Sequence, residues 1–373
     1  MLRRLLIAST VLVTLAFFVG AQQQRHSKRT SKSSRTHNRR TRKPTLPPVT
    51  SFVTDSGGKE LIVRLLSVGQ GDATYIRNGS SRVIIDGGPD PVLFGRYLDS
   101  LNLNNSTIDI VILSHQHLDH YSGLRELFRT SRHIHVRYFF ENKDPATAVT
   151  LAVLRDSILS RMDKDSLVYR DTDDPCSNGR AVCTITMTGG GKLHIMAPMP
   201  HGDGPNNRST PVKLIGPDSA SFSMWLAGDA EHEEIAWFES AGYNTNPGMR
   251  VNVLKADHHG SCNGVTARYL ALTKPEWAVV SVGARNDYGH MHAQAKAIYR
   301  RAGVPWYRTD QNGTITIRSP GVPGGRFTIA SEHSGSDLNG PGDRTSGQEK
   351  CTELASVSSR RDLELNVSAP IAF

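Results

Sequence analysis

Between about residues 58 and 318 the apolar positions fall into short runs, either alternating or wholly apolar, punctuated by Gly, Asp and Asn. Leu61–Leu66, Ala73–Ile76 and Arg82–Ile85 read as strands, joined by turn chemistry at Gly69-Gln70-Gly71-Asp72 and Asn78-Gly79-Ser80. Ile108–Leu113 has the β-branched density of a buried strand, and further strand blocks cover 192–196, 222–226, 251–256 and 278–282. Helical spacing appears at Pro91–Leu101 and from Gly123 to Thr130, and a longer amphipathic stretch runs from Ala146 to Met162. No solenoid period is visible. The pattern predicts one α/β domain over 58–318, followed at 319–373 by a tail of Gly, Pro, Ser and charge that is partly disordered.

The ends of the chain change the meaning of its charge. The formal net charge is +9, but residues 1–43 supply eleven of the 44 Lys and Arg and none of the 35 Asp and Glu. The remainder is near neutral, which argues against a uniformly basic nucleic-acid face. Met1-Leu2-Arg3-Arg4, an apolar stretch from Leu5 to Gly20 and small residues at Val19-Gly20-Ala21 read as a secretory signal peptide over 1–21. An uncleaved anchor is the alternative; the stretch is short for a bilayer span and carries Ser9, Thr10 and Thr14. Export places the protein in the medium or the cell envelope. Residues 22–57 form a basic, low-complexity linker, either a solvated spacer or an arm that contacts an anionic surface. Four cysteines suit export: Cys176 and Cys183 are spaced for a small loop disulfide, while the pairing of Cys262 and Cys351 stays open.

Directly after the Ile108–Leu113 strand comes Ser114-His115-Gln116-His117-Leu118-Asp119-His120. Three imidazoles and a carboxylate within six residues, on a loop leaving a strand's C-terminal end, make a metal-ligand set suited to Zn²⁺ and its first-row neighbours. Donors recur at later strand ends, at Gly228-Asp229 and at Asp257-His258-His259-Gly260.

Taken in order, these segments resemble the metallo-β-lactamase superfamily, whose signature is an early strand ending in Asp (here Asp86), then H-x-H-x-D-H, a later Asp and a final His. Val68–Ala73, Leu254–Ser261 (L-K-A-D-H-H-G-S), Ser281–His290 and Arg308–Ile315 resemble one branch, the hydrolase domain of ComEC-type competence proteins. Those proteins carry a multi-helix membrane channel that this chain lacks, so DNA uptake is not carried over. The resemblance implies an αββα sandwich and two divalent ions, Zn or Mn. It places His115 and His117 on the first ion, Asp119, His120 and His259 on the second, and Asp229 between them. The family's middle ligand position has no clear His; Asn206-Asn207-Arg208-Ser209 stands there, with His201 nearby.

Asp72 and Asp86 are expected behind the ligands, orienting imidazoles or capping turns. His258 is expected behind the ions or facing substrate, His290 as the acid for the leaving group, and Lys255, Ser261 and Asn207 as substrate contacts. The implied reaction is hydrolysis of a phosphodiester, DNA among the candidates, by a water activated between two cations. Alternatives are a wall-polymer or choline-type phosphodiester, a lactam or lactone, and a non-enzymatic surface-binding protein with a structural metal.

Overall fold

Ile110 and Ile112 point to one side of their strand and Val111 and Leu113 to the other, and the two pairs enter different buried clusters. That two-sided burial recurs across two sheets. The structure, a computed structural model, describes residues 58–334 except 147, 219, 220 and 285. The expected signal peptide, the basic arm, most of the tail and Cys351 lie outside the described residues.

The strands, in chain order, are β1 (Leu61–Leu65), β2 (Thr74–Asn78), β3 (Ser81–Ile85), β4 (Thr107–Ile112), β5 (His135–Glu141), β6 (Val168–Asp171), β7 (Val182–Thr186), β8 (Lys192–Met196), β9 (Val212–Ile215), β10 (Ser223–Leu226), β11 (Val253–Lys255), β12 (Trp277–Val280), β13 (Trp306–Arg308), β14 (Ile315–Ser319) and β15 (Thr328–Ser331). The helices are α1 (Pro91–Ser100), α2 (Leu118–Tyr121), α3 (Val149–Asp165), α4 (His232–Ser240), α5 (Ala267–Thr273), α6 (Ala293–Arg301) and α7 (Thr309–Asn312).

One sheet runs β15-β14-β1-β2-β3-β4-β5-β6 and the other β13-β12-β11-β10-β9-β8-β7. The inner faces meet in a core that includes Val63, Ile76, Ile85, Ile112, Leu193, Leu214, Leu226, Val253 and Ile317. The outer face of the first sheet packs with α1 and α3 through Tyr97, Leu98, Leu154 and Ile158. The outer face of the second packs with α4, α5 and α6 through Trp225, Phe238, Tyr269 and Tyr299. The architecture is the expected αββα sandwich, built because central strands such as β1 and β4 bury apolar residues on both faces and each long helix does so on one.

Two expectations are corrected. The domain does not end at residue 318: β15 pairs antiparallel with β14, from Ile315 opposite Ser331 to Arg318 opposite Thr328. A half-exposed edge strand reading Thr-Ile-Ala-Ser leaves little apolar signal in the sequence. The segment after the histidine cluster is a 3₁₀ helix, Ser122–Phe128, because Gly123 sits against the strand exit. A Cβ on Gly123 would lie 1.9 Å from the Gly87 carbonyl oxygen, and Gly87 N–H donates to the His120 carbonyl at 2.7 Å. Cys176 and Cys183 form the expected disulfide, with their Cα atoms 5.0 Å apart. Cys262 is disulfide-bonded as well.

In each sheet a parallel block, β3-β4-β5-β6 in one and β10-β11-β12-β13 in the other, sends its C-terminal ends the same way. Ligands in open α/β sheets gather at that edge. Among the described residues, no helix is long and apolar enough to cross a membrane.

Candidate metal centre

Five strand ends deliver the site. Asp86 follows β3, the Ser114–His120 loop follows β4, Asp229 follows β10, Asp257-His258-His259 follows β11 and the loop to His290 follows β12. Backbone bonds lock the loops together: Thr210 N–H donates to the Ser114 carbonyl at 2.8 Å, and His258 N–H donates to the Gly228 carbonyl at 3.2 Å. His258 and His259 both take left-handed backbone conformations in a tight four-residue 3₁₀ turn, which buries the His259 side chain and leaves His258 partly exposed.

Asp229 is the hub. Its Oδ2 lies 3.2 Å from His120 Nε2, 3.2 Å from His259 Nε2 and 3.8 Å from His115 Nε2. His259 Nε2 is also 3.2 Å from Asp119 Oδ2, and His115 Nε2 is 3.0 Å from His117 Nδ1. Donor atoms of Asp72, His120, Asp229 and His259 all fall within 4.8 Å of one another, and all four residues are buried.

The tautomers follow from the partners behind the rings. His259 Nδ1 is 3.0 Å from the Ser281 carbonyl, an acceptor only, so Nδ1 carries the proton. His120 Nδ1 donates to Asp86 Oδ2 at 2.9 Å. Ser114 Oγ–H donates to the same Asp86 oxygen at 2.7 Å and stands 3.2 Å from His115 Nδ1, which donates to it. In the neutral rings, Nε2 of His115, His120 and His259 is therefore a bare lone pair, those of His120 and His259 facing carboxylate oxygen and that of His115 facing His117 Nδ1. His120 Nε2, His259 Nε2 and Asp229 Oδ1 are buried and make no hydrogen bond. Lone pairs and carboxylates that converge without a proton between them fit a divalent cation.

The electrostatics agree. Burial raises the carboxyl pKa of Asp229, but His259 and His120 outweigh it and hold it well below the ordinary value. Burial works against charging His120 and His259, yet Asp229, with Asp86 on one ring and Asp72 on the other, raises both well above it. The pocket favours positive charge.

Asp72 approaches the back of the rings, with Oδ1 3.5 Å from His259 Nδ1 and Oδ2 4.0 Å from His120 Nδ1. It is a carboxylate behind the imidazoles rather than among the converging nitrogens. Its other partner is Lys255, and this corrects an expectation. Lys255 is 2 % exposed, and its Nζ contacts Asp72 and donates to the carbonyls of Gly228 at 3.0 Å and Ala256 at 3.2 Å. Its three donors are used, so it meets no substrate phosphate. Burial opposes its charge, but Asp72, Asp229 and Asp257 raise its pKa above the ordinary lysine value.

Ser261 is likewise buried, with Oγ 3.4 Å from His292 Nδ1, and does not reach substrate. Asn207 is buried too: its Oδ1 accepts from Glu231 N–H at 3.2 Å and Glu234 N–H at 3.3 Å, capping α4 from another loop. His258 is partly exposed and pairs through Nδ1 with Asn263 Oδ1 at 3.0 Å and Glu231 Oε1 at 3.2 Å. His201 is exposed and lines a cleft of about 800 Å³ with Gln116, Asp144, Asp173 and Arg208.

His290 does not carry the proton its expected role requires. Burial, then the neighbouring His259, His258 and His292, push its pKa down to about 2, so the ring is neutral. Gln70 Oε1 accepts from Gly283 N–H at 3.1 Å, which turns the Gln70 amide nitrogen toward His290 Nδ1 at 3.3 Å. The remaining proton then sits on His290 Nε2, which makes this ring a hydrogen-bond donor rather than an imidazolium acid. Ser114 and Gln70 are the functional residues that residue-type reasoning passed over. Both lie inside the quoted motifs, but neither is a ligand type.

Residues 66–138 match the family model for the metallo-beta-lactamase superfamily. Over that stretch, which includes the His115–His120 loop, the chain is similar to that superfamily. ComE operon protein 3 of Bacillus subtilis (strain 168) is similar to this chain, at 29 % identity over 147 residues. That match covers 39 % of this chain and 18 % of the relative, so the chain spans a small part of the relative's length. Among solved structures, the metallo-beta-lactamase fold protein YhfI from Bacillus subtilis is similar over 68 % of this chain and 98 % of that chain, with TM-score 0.43 and 11 % identity. A diphosphatase from the PhnP family is similar over 59 % of this chain and 85 % of that chain, with TM-score 0.35 and 14 % identity.

Proposed function

We propose that the metallo-β-lactamase-like domain hydrolyses phosphodiesters, with nucleic acid as the substrate class, and that the protein acts outside the cell. The observation that carries the reading is the convergence of the His115, His120 and His259 Nε2 lone pairs on Asp229 Oδ2. In this reading His115, His117 and Asp229 hold one divalent ion, and Asp119, His120, His259 and Asp229 hold a second. The chemistry such a pair supplies is activation of water and neutralisation of charge on phosphate oxygens.

The chain's own residues prepare that chemistry. Asp86 and Ser114 fix the tautomers of His120 and His115, and Ser281 fixes that of His259. Asp119, with its side chain 29 % exposed, and the half-buried His117 lie nearer solvent than the buried His115, His120, His259 and Asp229, so substrate enters on their side. His290, with its proton on Nε2, donates a hydrogen bond to a phosphate or leaving-group oxygen. Nuclease action is supported by the motif resemblance across Val68–Ala73 and Leu254–Ser261. Export is supported by the pattern of residues 1–21, and the basic segment after it suits an anionic surface.

A choline-type phosphodiester is the second reading. It is favoured by the half-exposed carboxylates of Asp144 and Asp173, which line the cleft beside Gln116 with Arg208 between them. The test is a substrate panel with the full chain and Mn²⁺ or Zn²⁺: single- and double-stranded DNA, a glycerophosphocholine diester and a lactam. DNA cleavage abolished by chelator and by Asp119→Ala is the expected result. Turnover of the choline diester alone would replace the nuclease reading.

A further inference from the structure

Beside the centre, three rings form a staircase from solvent to the cluster. The Tyr288 ring stacks on His290 with centroids 5.5 Å apart and planes 26° from parallel. The His290 ring stacks on His259 at 6.0 Å and 28°. Tyr288 is the outermost step and is 62 % exposed.

The loop that presents it is pinned. His292 Nδ1 accepts from Cys262 N–H at 3.0 Å, so its proton is on Nε2, which donates to the Tyr288 carbonyl at 3.0 Å. Asn286 clamps the loop on both sides: its Oδ1 accepts from His290 N–H at 2.9 Å, and its Nδ2 donates to the carbonyls of His290 at 2.7 Å and Gly283 at 3.0 Å. Gly283 in turn donates to Gln70, and a Cβ there would lie 2.5 Å from Gln70 N, so only glycine admits this contact. An exposed aromatic on a loop pinned by side-chain–backbone bonds is a preorganised surface, and little further ordering is needed when a flat partner covers it.

We infer that Tyr288 is a specificity-determining platform on which a nucleobase stacks while its phosphate lies at the Asp229–His259 cluster. The inference rests on the phosphodiesterase reading and names its substrate class: base-bearing single strands rather than phosphodiesters at large. Two ring steps, of 5.5 and 6.0 Å between centroids, separate Tyr288 from His259, which puts the platform within reach of a base on the nucleotide at or next to the bound phosphate. Asp287, exposed next to Tyr288, opposes a phosphate on that ring and leaves the platform to the uncharged base. Base stacking on an aromatic side chain tolerates any sequence, because every base has a π face.

The test uses the full chain with Mn²⁺ and two oligonucleotides of equal length, one ordinary and one with abasic residues throughout, which shares the phosphodiester backbone. The platform predicts a lower KM for the ordinary strand. Tyr288→Ala should raise that KM on the order of 10- to 100-fold with kcat little changed, leaving the abasic strand unaffected, and Tyr288→Phe should restore it. An equal KM for the two strands in the unmodified protein, or an equal loss on both in Tyr288→Ala, overturns the inference and leaves the phosphodiesterase reading standing. If neither strand is cleaved, that reading fails, and fluorescence anisotropy with the same strands still decides the platform. A Kd for the ordinary strand that Tyr288→Ala leaves unchanged then overturns it.

Discussion

Asp86→Asn exchanges one oxygen for an amide nitrogen and should undo the metal centre without touching a ligand. Asp86 Oδ1 accepts from Ser114 N–H at 2.8 Å, and Oδ2 accepts from both Ser114 Oγ–H and His120 Nδ1–H. An asparagine keeps its oxygen on the Ser114 N–H and turns its NH₂ toward the other two donors. His120 then escapes a donor–donor clash only by moving its proton from Nδ1 to Nε2, the nitrogen 3.2 Å from Asp229. Ser114 Oγ loses its acceptor at the same time, which loosens His115.

Losing a partner of this kind behind a ligand costs about 10- to 100-fold in metal affinity, or about 1.4 to 2.7 kcal/mol. The assay is chelator-competition measurement of Kd for Zn²⁺ or Mn²⁺, with circular dichroism to show that the variant folds. A folded Asp86→Asn protein with unchanged Kd would refute the tautomer argument, because His120 would not be presenting a lone pair fixed by Asp86.

Asp229→Asn removes the charge that three ring nitrogens approach, and should weaken metal retention by at least about 100-fold and abolish turnover, read by elemental analysis after gel filtration. Asn207→Ala uncaps α4 and should lower stability by about 1 kcal/mol in urea unfolding with KM for substrate unchanged; a rise in KM would return Asn207 to the binding surface. Asp72 gives a pH signature in the metal-free protein. Burial pushes its carboxyl up, but Lys255, then His259 and His120, hold it at about 2 against an ordinary value of 3.8. With the folded pKa depressed, its contribution is full above the ordinary value and is lost as pH falls toward 2. The stability gap between the unaltered protein and Asp72→Asn should therefore close between pH 4 and pH 2, and a gap constant over that range would contradict the assignment.

What the sequence made legible follows from how strongly each feature repeats or concentrates. An α/β domain was readable because strands such as Ile108–Leu113 carry dense apolar runs, the sandwich came only with the family resemblance, and H-x-H-x-D-H was readable because four donors crowd one loop. Burial was not readable. Lys255, Ser261 and Asn207 have the chemistry of substrate contacts, and only the fold shows each one turned inward onto carbonyls, an imidazole or a helix end. The protonation of His290 was hidden for the same reason, since it depends on rings brought together from β11 and β12. Strand β15 and helices α4 to α6 were missed because a half-exposed edge strand and short helices of seven to nine residues leave too few apolar repeats to register.

The account's central claim is that five strand ends build a centre for divalent ions around Asp229. Counting bound metal in the full chain, equilibrated with Mn²⁺ or Zn²⁺ and then freed of excess, tests it most directly. Two ions per chain, both removable by chelator, are predicted. No retained ion, or one that resists chelation, would contradict a hydrolytic centre and turn the cluster into a structural feature of the fold.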